Sequence, residues 1–461
     1  MSHQWARRRP SRAAAAGCAA LLLALLAPVA GCAPETSTPA RFPDVQRMLD
    51  TRAQAVQRRD AAGFLASVDP RATGYRDRQR AMFGHLAGVP LADWHYDLDS
   101  TGAFPLRVGE SDARLAAKVR LRYRLKGYDS SPVHAVQYLT LIRRDGRWLI
   151  SSDTDGAAAG KSGTRQLWDQ GPVRLVRGRH SLVLGGPAHL ARLKDLARRV
   201  DRAVPAVSDA WKGKWSQKVV VEAPDSVERM AQLMGSDDAS GYAGIAAVTT
   251  GEAGVATATP ADRVIINPEA YEELNDLGRR VVLTHETAHV ATRTATTVAT
   301  PLWLSEGFAD WVAYRGSHRK PATIAPELTR ALARGKVPAR LPTDEDFGFK
   351  AGAGRLAKAY EGSWLACRMI AGKYGEAKLI AFYRAAGRSA LRASSGSAGA
   401  PMEAATAVPA GSRPASRAVG DGHRRPARAD RTDGALRSQL GINLAEFTRQ
   451  WRAYVKAQLR R

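Results

Sequence analysis

The chain has 461 residues, a formal net charge of +25 and 44% hydrophobic residues. This length exceeds that of an ordinary single domain, so we expect two domains, and the apolar fraction supplies enough side chains for their cores. The basic charge indicates an anionic neighbour. The sequence carries no nucleic-acid recognition motif, however, and we therefore expect no nucleic-acid partner.

Residues 1–32 are predicted to be a targeting segment. An arginine-rich stretch precedes an apolar run at 13–27, and the segment ends in Val29-Ala30-Gly31-Cys32. This ending resembles the lipobox of bacterial lipoproteins, in which the cysteine is lipidated and becomes the new N-terminus. The resemblance implies that Cys32 anchors the protein to the outer face of the bacterial cytoplasmic membrane. An uncleaved membrane anchor is the alternative, because the apolar stretch 13–33 is barely long enough to span a bilayer.

A short polar tether at 33–40 leads to the first predicted domain, at 41–157. Helical periodicity covers roughly 43–59, and Asp60 has the side chain of an N-cap for the helix that follows. Residues 116–126 alternate strictly between apolar or aromatic and basic side chains. This pattern predicts a strand with one buried face and one solvated, basic face.

Two further strand-like runs, 134–143 and 147–152, predict a hairpin around Asp145-Gly146, because this dipeptide favours a tight hairpin turn. Helices followed by an antiparallel curved sheet resemble the nuclear transport factor 2-like fold. The resemblance concerns the fold and says little about activity. The basic row on 116–126 offers a contact for anionic lipid headgroups, although most such rows are simply solvated.

The second predicted domain covers 165–388, and we expect it to be mostly helical within an α+β chain. Strand-like segments at 241–248 and 263–267 precede its chemically distinctive part. Either segment could be the edge strand on which an extended peptide adds by backbone hydrogen bonds. Residues 389–434 are dominated by small residues, proline and arginine, which predicts a disordered insertion. Residues 435–461 return to helical periodicity and are expected to pack on this domain as a helix.

The strongest chemical signal is the pentapeptide His285-Glu286-Thr287-Ala288-His289. Histidines four positions apart on a helix share one face, so both imidazoles can bind one cation. Glu286 lies beside this face, where a carboxylate can take a proton from a water held by the metal, and it is the predicted general base. An ordinary amphipathic helix with solvated histidines is the alternative interpretation.

A third ligand is predicted at Glu306. It follows His289 by seventeen positions, which leaves room for the first helix to end near Arg293 and for a second helix to open at Pro301. A carboxylate there would complete the three protein ligands of a catalytic zinc and leave the fourth position open. Asp310 shares a helix face with Glu306 and is predicted to orient one ligand histidine.

HETAH followed by SEGFAD resembles the gluzincin metallopeptidases, the group that includes thermolysin and aminopeptidase N. The resemblance implies one zinc ion per chain and hydrolysis of peptide bonds by zinc-activated water, with Glu286 as the catalytic base. The implied zinc ligands are His285, His289 and Glu306. An acidic residue also lies four positions beyond the third ligand in this family, and it corresponds to Asp310.

The stretch at Tyr360 is similar to a Tyr-Glu motif of the aminopeptidase branch, which implies that Tyr360 hydrogen-bonds the tetrahedral intermediate. The glycine-rich motif with which that branch grips a free α-amine is missing, so we expect an endopeptidase or a narrow specificity. The expected partners are a peptide or protein substrate, with anionic lipid or cell-wall polymer as further candidates. The alternative is a lipid-anchored binding or assembly protein whose zincin-like fold does not cleave, although the retention of Glu286 favours an enzyme.

Overall fold

The computed structural model describes residues 42–106, 113–250, 261–348, 352–388 and 428–460. The predicted targeting segment with Cys32, the tether and most of the predicted insertion lie outside these ranges. Among the helices in these ranges, none is both long enough and apolar enough to cross a membrane. The chain is α+β, as the sequence predicts.

The N-terminal unit consists of helices followed by an antiparallel sheet. Its elements are α1 (Pro43–Arg58), α2 (Ala61–Leu65), α3 (Thr73–His85), β1 (Leu91–Thr101), β2 (Arg114–Leu125), β3 (Val133–Arg144) and β4 (Arg147–Ser152). The strands lie in the order β1-β2-β3-β4. Asp60 caps α2 by accepting a hydrogen bond from the backbone N–H of Gly63. Asp145 and Gly146 both adopt a positive φ between β3 and β4, and the predicted hairpin is confirmed.

β2 shows the predicted alternation, with Val119, Leu121 and Tyr123 buried and the basic side chains on the opposite face. Three arginines of this basic row each pair with an aspartate of β1. The pairs are Arg120–Asp99, Arg122–Asp97 and Arg124–Asp93. Opposite charges on neighbouring strands stabilise a sheet modestly and also cancel. This face therefore gives little support to a contact with anionic lipid.

A mixed sheet follows the short helix α4 (Leu167–Gln170). Its strands are β5 (Arg174–Arg177), β6 (Ser181–Gly185), β7 (Val219–Ala223), β8 (Ala247–Thr249) and β9 (Val264–Ile266). They lie in the order β5-β6-β7-β9-β8; β6, β7 and β9 are parallel, and β5 and β8 are antiparallel to their neighbours. The helices of this region are α5 (Leu190–Trp211), α6 (Val227–Leu233) and α7 (Pro268–Glu272).

The mixed sheet buries both of its faces, because alternate residues of each strand point to opposite sides. One face packs against the N-terminal unit, through Leu182, Leu184, Val220, Val248 and Ile265. The other face packs against α5 and α8 (Asp276–Thr292), through Val183, Val219, Val221, Ala247, Val264 and Ile266. The two predicted domains, 41–157 and 165–388, thus share a continuous apolar core.

A layer of helices packs on the opposite side of α5 and α8. It consists of α9 (Leu302–Tyr314), α10 (Pro321–Ile324), α11 (Pro326–Ala333), α12 (Ala353–Tyr374), α13 (Glu376–Arg388), α14 (Arg428–Leu440) and α15 (Leu444–Leu459). Trp303, Phe308 and Phe382 are among its buried aromatic side chains. This arrangement encloses α8 between the mixed sheet and the helical layer.

Two predictions near the C-terminal end are wrong in detail. α14 begins at Arg428, inside the range 389–434 for which the composition predicts a disordered insertion. Leu436 and its neighbours are buried in the helical layer, and this packing stabilises the helix. The segment 435–461 contains the end of α14 and all of α15 instead of a single helix. Gly441 adopts a φ of 73° and turns the chain between them.

Candidate metal centre

α8 carries the first half of the site. Asn275 caps its start, and the helix ends at Thr292, one residue before the predicted end. Because the mixed sheet covers one side of α8 and the helical layer covers the other, even its polar side chains are enclosed. His285, Glu286 and His289 are therefore at most 3% exposed.

α9 brings two carboxylates to the same place. Pro301 is its N-cap residue, which is one position earlier than the first-turn place predicted for it. Gly307 allows α9 to approach α12 closely, because a Cβ atom at this position would lie 2.3 Å from the backbone oxygen of Ser363. The close approach holds Glu306 and Asp310 in the interior, where both are buried.

Three side chains converge on one point between α8 and α9. The Nε2 atoms of His285 and His289 lie 3.0 Å apart, and Oε2 of Glu306 lies 3.3 Å from the former and 3.5 Å from the latter. Ligand atoms of a tetrahedral ion with bonds of about 2.0–2.1 Å would lie about 3.3 Å apart. The three atoms match three corners of such a tetrahedron, so the cluster can hold a metal ion.

The charge state of Glu306 agrees with a bound cation. Burial raises the pKa of this carboxyl, but the imidazoles of His289 and His285 outweigh burial and hold the pKa well below its ordinary value. Glu306 is therefore an anion at neutral pH. Among the described residues, neither of its oxygens has a hydrogen-bond partner of ordinary geometry. Burying an ionised carboxylate without hydrogen-bond partners costs folding free energy, and a bound metal ion would offset this cost.

Asp310 orients the ring of His285. Nδ1 of His285 donates a hydrogen bond to Oδ1 of Asp310 at 2.8 Å, so that Nε2 is directed at the cluster, where a metal ion would take the place of its proton. Burial lowers the pKa of His285, but the carboxylates of Asp310 and Glu306 together hold it well above its ordinary value. Asp310 thus lies where its predicted orienting role requires it.

Glu286 lies on α8 between the two histidines and is fully buried. Its Oε2 accepts a hydrogen bond of 2.5 Å from Oγ1 of Thr249 in β8. Its Oε1 has no partner in the described parts of the chain. Burial raises the pKa of Glu286, which suits a group that must accept a proton near neutral pH. The sequence did not indicate Thr249, because a single threonine distant from the motif carries no recognisable signal.

Tyr360 of α12 lies beside the cluster, with its ring centroid 6.4 Å from that of His285. Burial and the carboxylate of Glu306 raise the pKa of this phenol well above its ordinary value, so Tyr360 keeps its proton and can donate a hydrogen bond. The adjacent Glu361 has another role, because its two oxygens accept hydrogen bonds from backbone N–H groups in the first turn of α11. Of this pair, only Tyr360 lies at the site.

β8 is the last strand of the described sheet and lies next to α8, whereas β9 is an interior strand. The backbone N–H of Thr250 donates to the oxygen of Arg263, which precedes β9. Because the backbone groups of successive residues point in opposite directions, those of Ala247 and Thr249 point away from β9. Of the two predicted strand-like segments, the first therefore supplies the edge strand.

Cys367 is a free cysteine of α12. It is fully buried, and burial raises the pKa of its thiol well above the ordinary value. It is therefore no candidate for a thiolate nucleophile. Cys32 lies outside the described residues.

The structure brings together all the site residues predicted in the second half of the chain. They are His285, Glu286, His289, Glu306, Asp310 and Tyr360. Comparison of the sequence with known proteins adds no further assignment: no protein-family model matches the chain, and no curated protein gives a significant match.

Proposed function

We propose that this protein is a zinc-dependent metallopeptidase of the gluzincin type. The proposal rests on two imidazoles and one ionised carboxylate whose ligand atoms lie 3.0–3.5 Å apart, beside the buried carboxylate of Glu286. Two histidines and one glutamate form a ligand set of catalytic zinc, and three protein ligands leave a fourth position open. A purely structural zinc site would have four protein ligands and no need of a base.

The side chains around the cluster supply the remaining chemistry. Bound zinc would polarise the scissile carbonyl and lower the pKa of a water molecule to about 7. Glu286 accepts a proton from the attacking water and passes it to the leaving amine. Asp310 keeps the ring of His285 in its ligating orientation. Tyr360 donates a hydrogen bond to the carbonyl oxygen as negative charge develops on it.

The proposed substrate is an extended peptide that pairs with β8. The backbone groups of Ala247 and Thr249 that point away from β9 are those with which a substrate main chain would pair, whatever its side chains are. Both residues are at most 4% exposed, so the peptide would have to enter a covered edge of the sheet. β8 lies next to α8, so a peptide paired with it would run alongside the metal cluster. An endopeptidase is the kind of enzyme that this mode of binding suits, since no free terminus is needed.

We also propose that the enzyme acts on the outer face of the bacterial cytoplasmic membrane, anchored through lipidated Cys32. This part of the proposal rests on the arginine-rich and apolar segments before Cys32 and on the lipobox-like ending. The net charge of +25 supports an anionic neighbour there, either anionic lipid or a cell-wall polymer. The substrate would be a peptide or protein that reaches this surface.

Metal analysis combined with a peptide-library cleavage assay tests the proposal. The wild type should contain one zinc per chain and cleave peptides. Glu286→Gln should retain zinc and lose about 10²- to 10⁴-fold in kcat. Glu273→Gln, which changes an exposed carboxylate shortly before α8, is the matched control and should behave as the wild type does. A wild type that binds zinc and cleaves nothing would instead indicate a catalytically silent binding or assembly protein.

A further inference from the structure

Thr249 makes the shortest polar contact to the proposed base. Its Oγ1 lies 2.5 Å from Oε2 of Glu286 and 3.3 Å from the backbone oxygen of the same residue. The hydroxyl has a single proton, and an ionised carboxylate can only accept, so Thr249 donates to Oε2. Thr249 is 4% exposed, and water therefore competes little for this hydrogen bond.

This contact makes the two oxygens of Glu286 unequal. Oε2 is held by Thr249, while Oε1 is buried and has no partner in the parts of the chain that the structure describes. We propose that Thr249 is a positioning residue for Glu286: its hydroxyl fixes one carboxylate oxygen so that the other is aimed at the proton to be removed. The proposal rests on the proposed function, because it assigns to Glu286 the role of general base.

The position of Thr249 is itself fixed from two sides. Its neighbour Thr250 donates a backbone hydrogen bond to Arg263 at 2.7 Å and accepts one through its backbone oxygen from Arg293 at 3.1 Å. Arg293 directly follows α8 and forms a buried ion pair with Asp262, with a shortest distance of 2.9 Å. The end of β8 is thereby tied both to the strand beside it and to the helix that carries Glu286. Because the strand is held in place, the hydroxyl of Thr249 can orient the carboxylate of Glu286 before the substrate binds. Little conformational freedom then remains to be lost on binding.

Different groups of Thr249 serve the positioning of Glu286 and the proposed binding of the peptide. Its backbone groups point to the edge of the sheet, where the proposed peptide pairs, and its side chain points to Glu286. Removing the hydroxyl should therefore weaken catalysis more than substrate binding. The expected signature is a fall in kcat with little change in KM.

The kinetic experiment compares Thr249→Val with Thr249→Ser in the full chain loaded with zinc. Valine keeps the shape of threonine and removes the hydroxyl, so we expect kcat to fall by about 10- to 100-fold while KM and zinc content stay unchanged. Serine restores the hydroxyl and should return kcat to within about threefold of the wild type. Thr249→Ala is the second hydroxyl-free variant if valine is not tolerated. An unchanged kcat in both hydroxyl-free variants, or a loss of zinc that accounts for the lost activity, would overturn the proposal.

A second measurement does not depend on peptide cleavage. The hydrogen bond predicts that Thr249→Val lowers Tm in the wild-type background. This loss should become smaller when Glu286→Ala is already present, because only the backbone oxygen at 3.3 Å then remains as an acceptor. An equal loss in both backgrounds would mean that Thr249 acts without Glu286, and the proposal would be wrong. If the wild type cleaves no peptide yet the two substitutions are coupled, the contact stands and the peptidase assignment fails. The two failures are therefore distinguishable.

Discussion

Asp310 accepts a hydrogen bond from Nδ1 of His285 at 2.8 Å, and this contact joins α9 to α8 directly behind the metal cluster. We expect Asp310→Ala to weaken zinc binding by about 10- to 100-fold, because the His285 ring loses both its orientation and part of its basicity. Competition with a chelator measures the affinity. Asp50→Ala, on an exposed part of α1, should leave it unchanged. An Asp310→Ala variant with wild-type affinity would show that the helical packing alone orients the ring.

Substitution of Tyr360 distinguishes between two roles of its phenol, one toward the substrate oxyanion and one toward Glu306. If the phenol stabilises the developing oxyanion, Tyr360→Phe should lower kcat by about 10²- to 10³-fold and leave zinc affinity unchanged. If the phenol acts mainly on its neighbour Glu306, zinc affinity should fall instead. Steady-state kinetics together with zinc titration separate these outcomes, and we expect the first.

Gly307 is predicted to be required for the position of Glu306. Gly307→Ala should lower the free energy of unfolding by about 1–3 kcal/mol, because a methyl group there would collide with the backbone of Ser363 and force α9 away from α12. Gly372→Ala is the matched control, since this exposed glycine of α12 has nothing within 4 Å of an added Cβ. The control should be slightly stabilising, by about 0.5–1 kcal/mol. Chemical denaturation of both variants makes the comparison.

A buried ion pair joins the N-terminal unit to the mixed sheet. Asp129 accepts hydrogen bonds from Arg263 at 2.7 and 2.8 Å, and both side chains are almost completely buried. Asp129→Ala should lower the free energy of unfolding by about 3–5 kcal/mol, because it leaves the guanidinium without this partner in the interior. Asp44→Ala breaks an exposed pair on α1 and should hardly change the denaturation midpoint. A small effect at Asp129 would indicate that apolar packing and the other polar contacts hold the two units together without this pair.

Glu361 is expected to make stability depend on pH. Burial raises the pKa of its carboxyl to about 7, although its two backbone hydrogen bonds at the start of α11 lower it. The folded protein therefore binds this proton more tightly than the unfolded chain does. The associated stability is fully present below the ordinary pKa of about 4.5 and is lost as the pH rises through about 7.

Glu361→Gln removes this titration. As the pH rises from 5 to 8, the wild type should lose up to about 3 kcal/mol more stability than the variant does. The loss of one backbone hydrogen bond can lower the stability of the variant, but it does so equally at every pH. Thermal unfolding at both pH values measures the difference. Glu345→Gln, at an exposed position, is the control and should show a pH dependence equal to that of the wild type. A wild type and a Glu361→Gln variant with parallel pH profiles would contradict the assignment.

The sequence by itself determined the local geometry of the site. His285 and His289 must share a face of any helix that contains them, and Glu306 and Asp310 must do the same, because the spacing of four residues nearly matches one helical turn. The Asp145-Gly146 hairpin and the N-cap at Asp60 can likewise be predicted from the sequence, since each depends on only a few adjacent residues.

Only the tertiary structure decided how these local pieces meet. The placement of Glu306 at 3.3 Å from His285 depends on the packing of α9 against α8 and α12, which includes the contact at Gly307. The hydroxyl of Thr249 reaches Glu286 because the mixed sheet packs on α8. Such contacts between distant segments result from many weak interactions summed over a whole core, whereas a helix face or a turn is fixed by the residues within it.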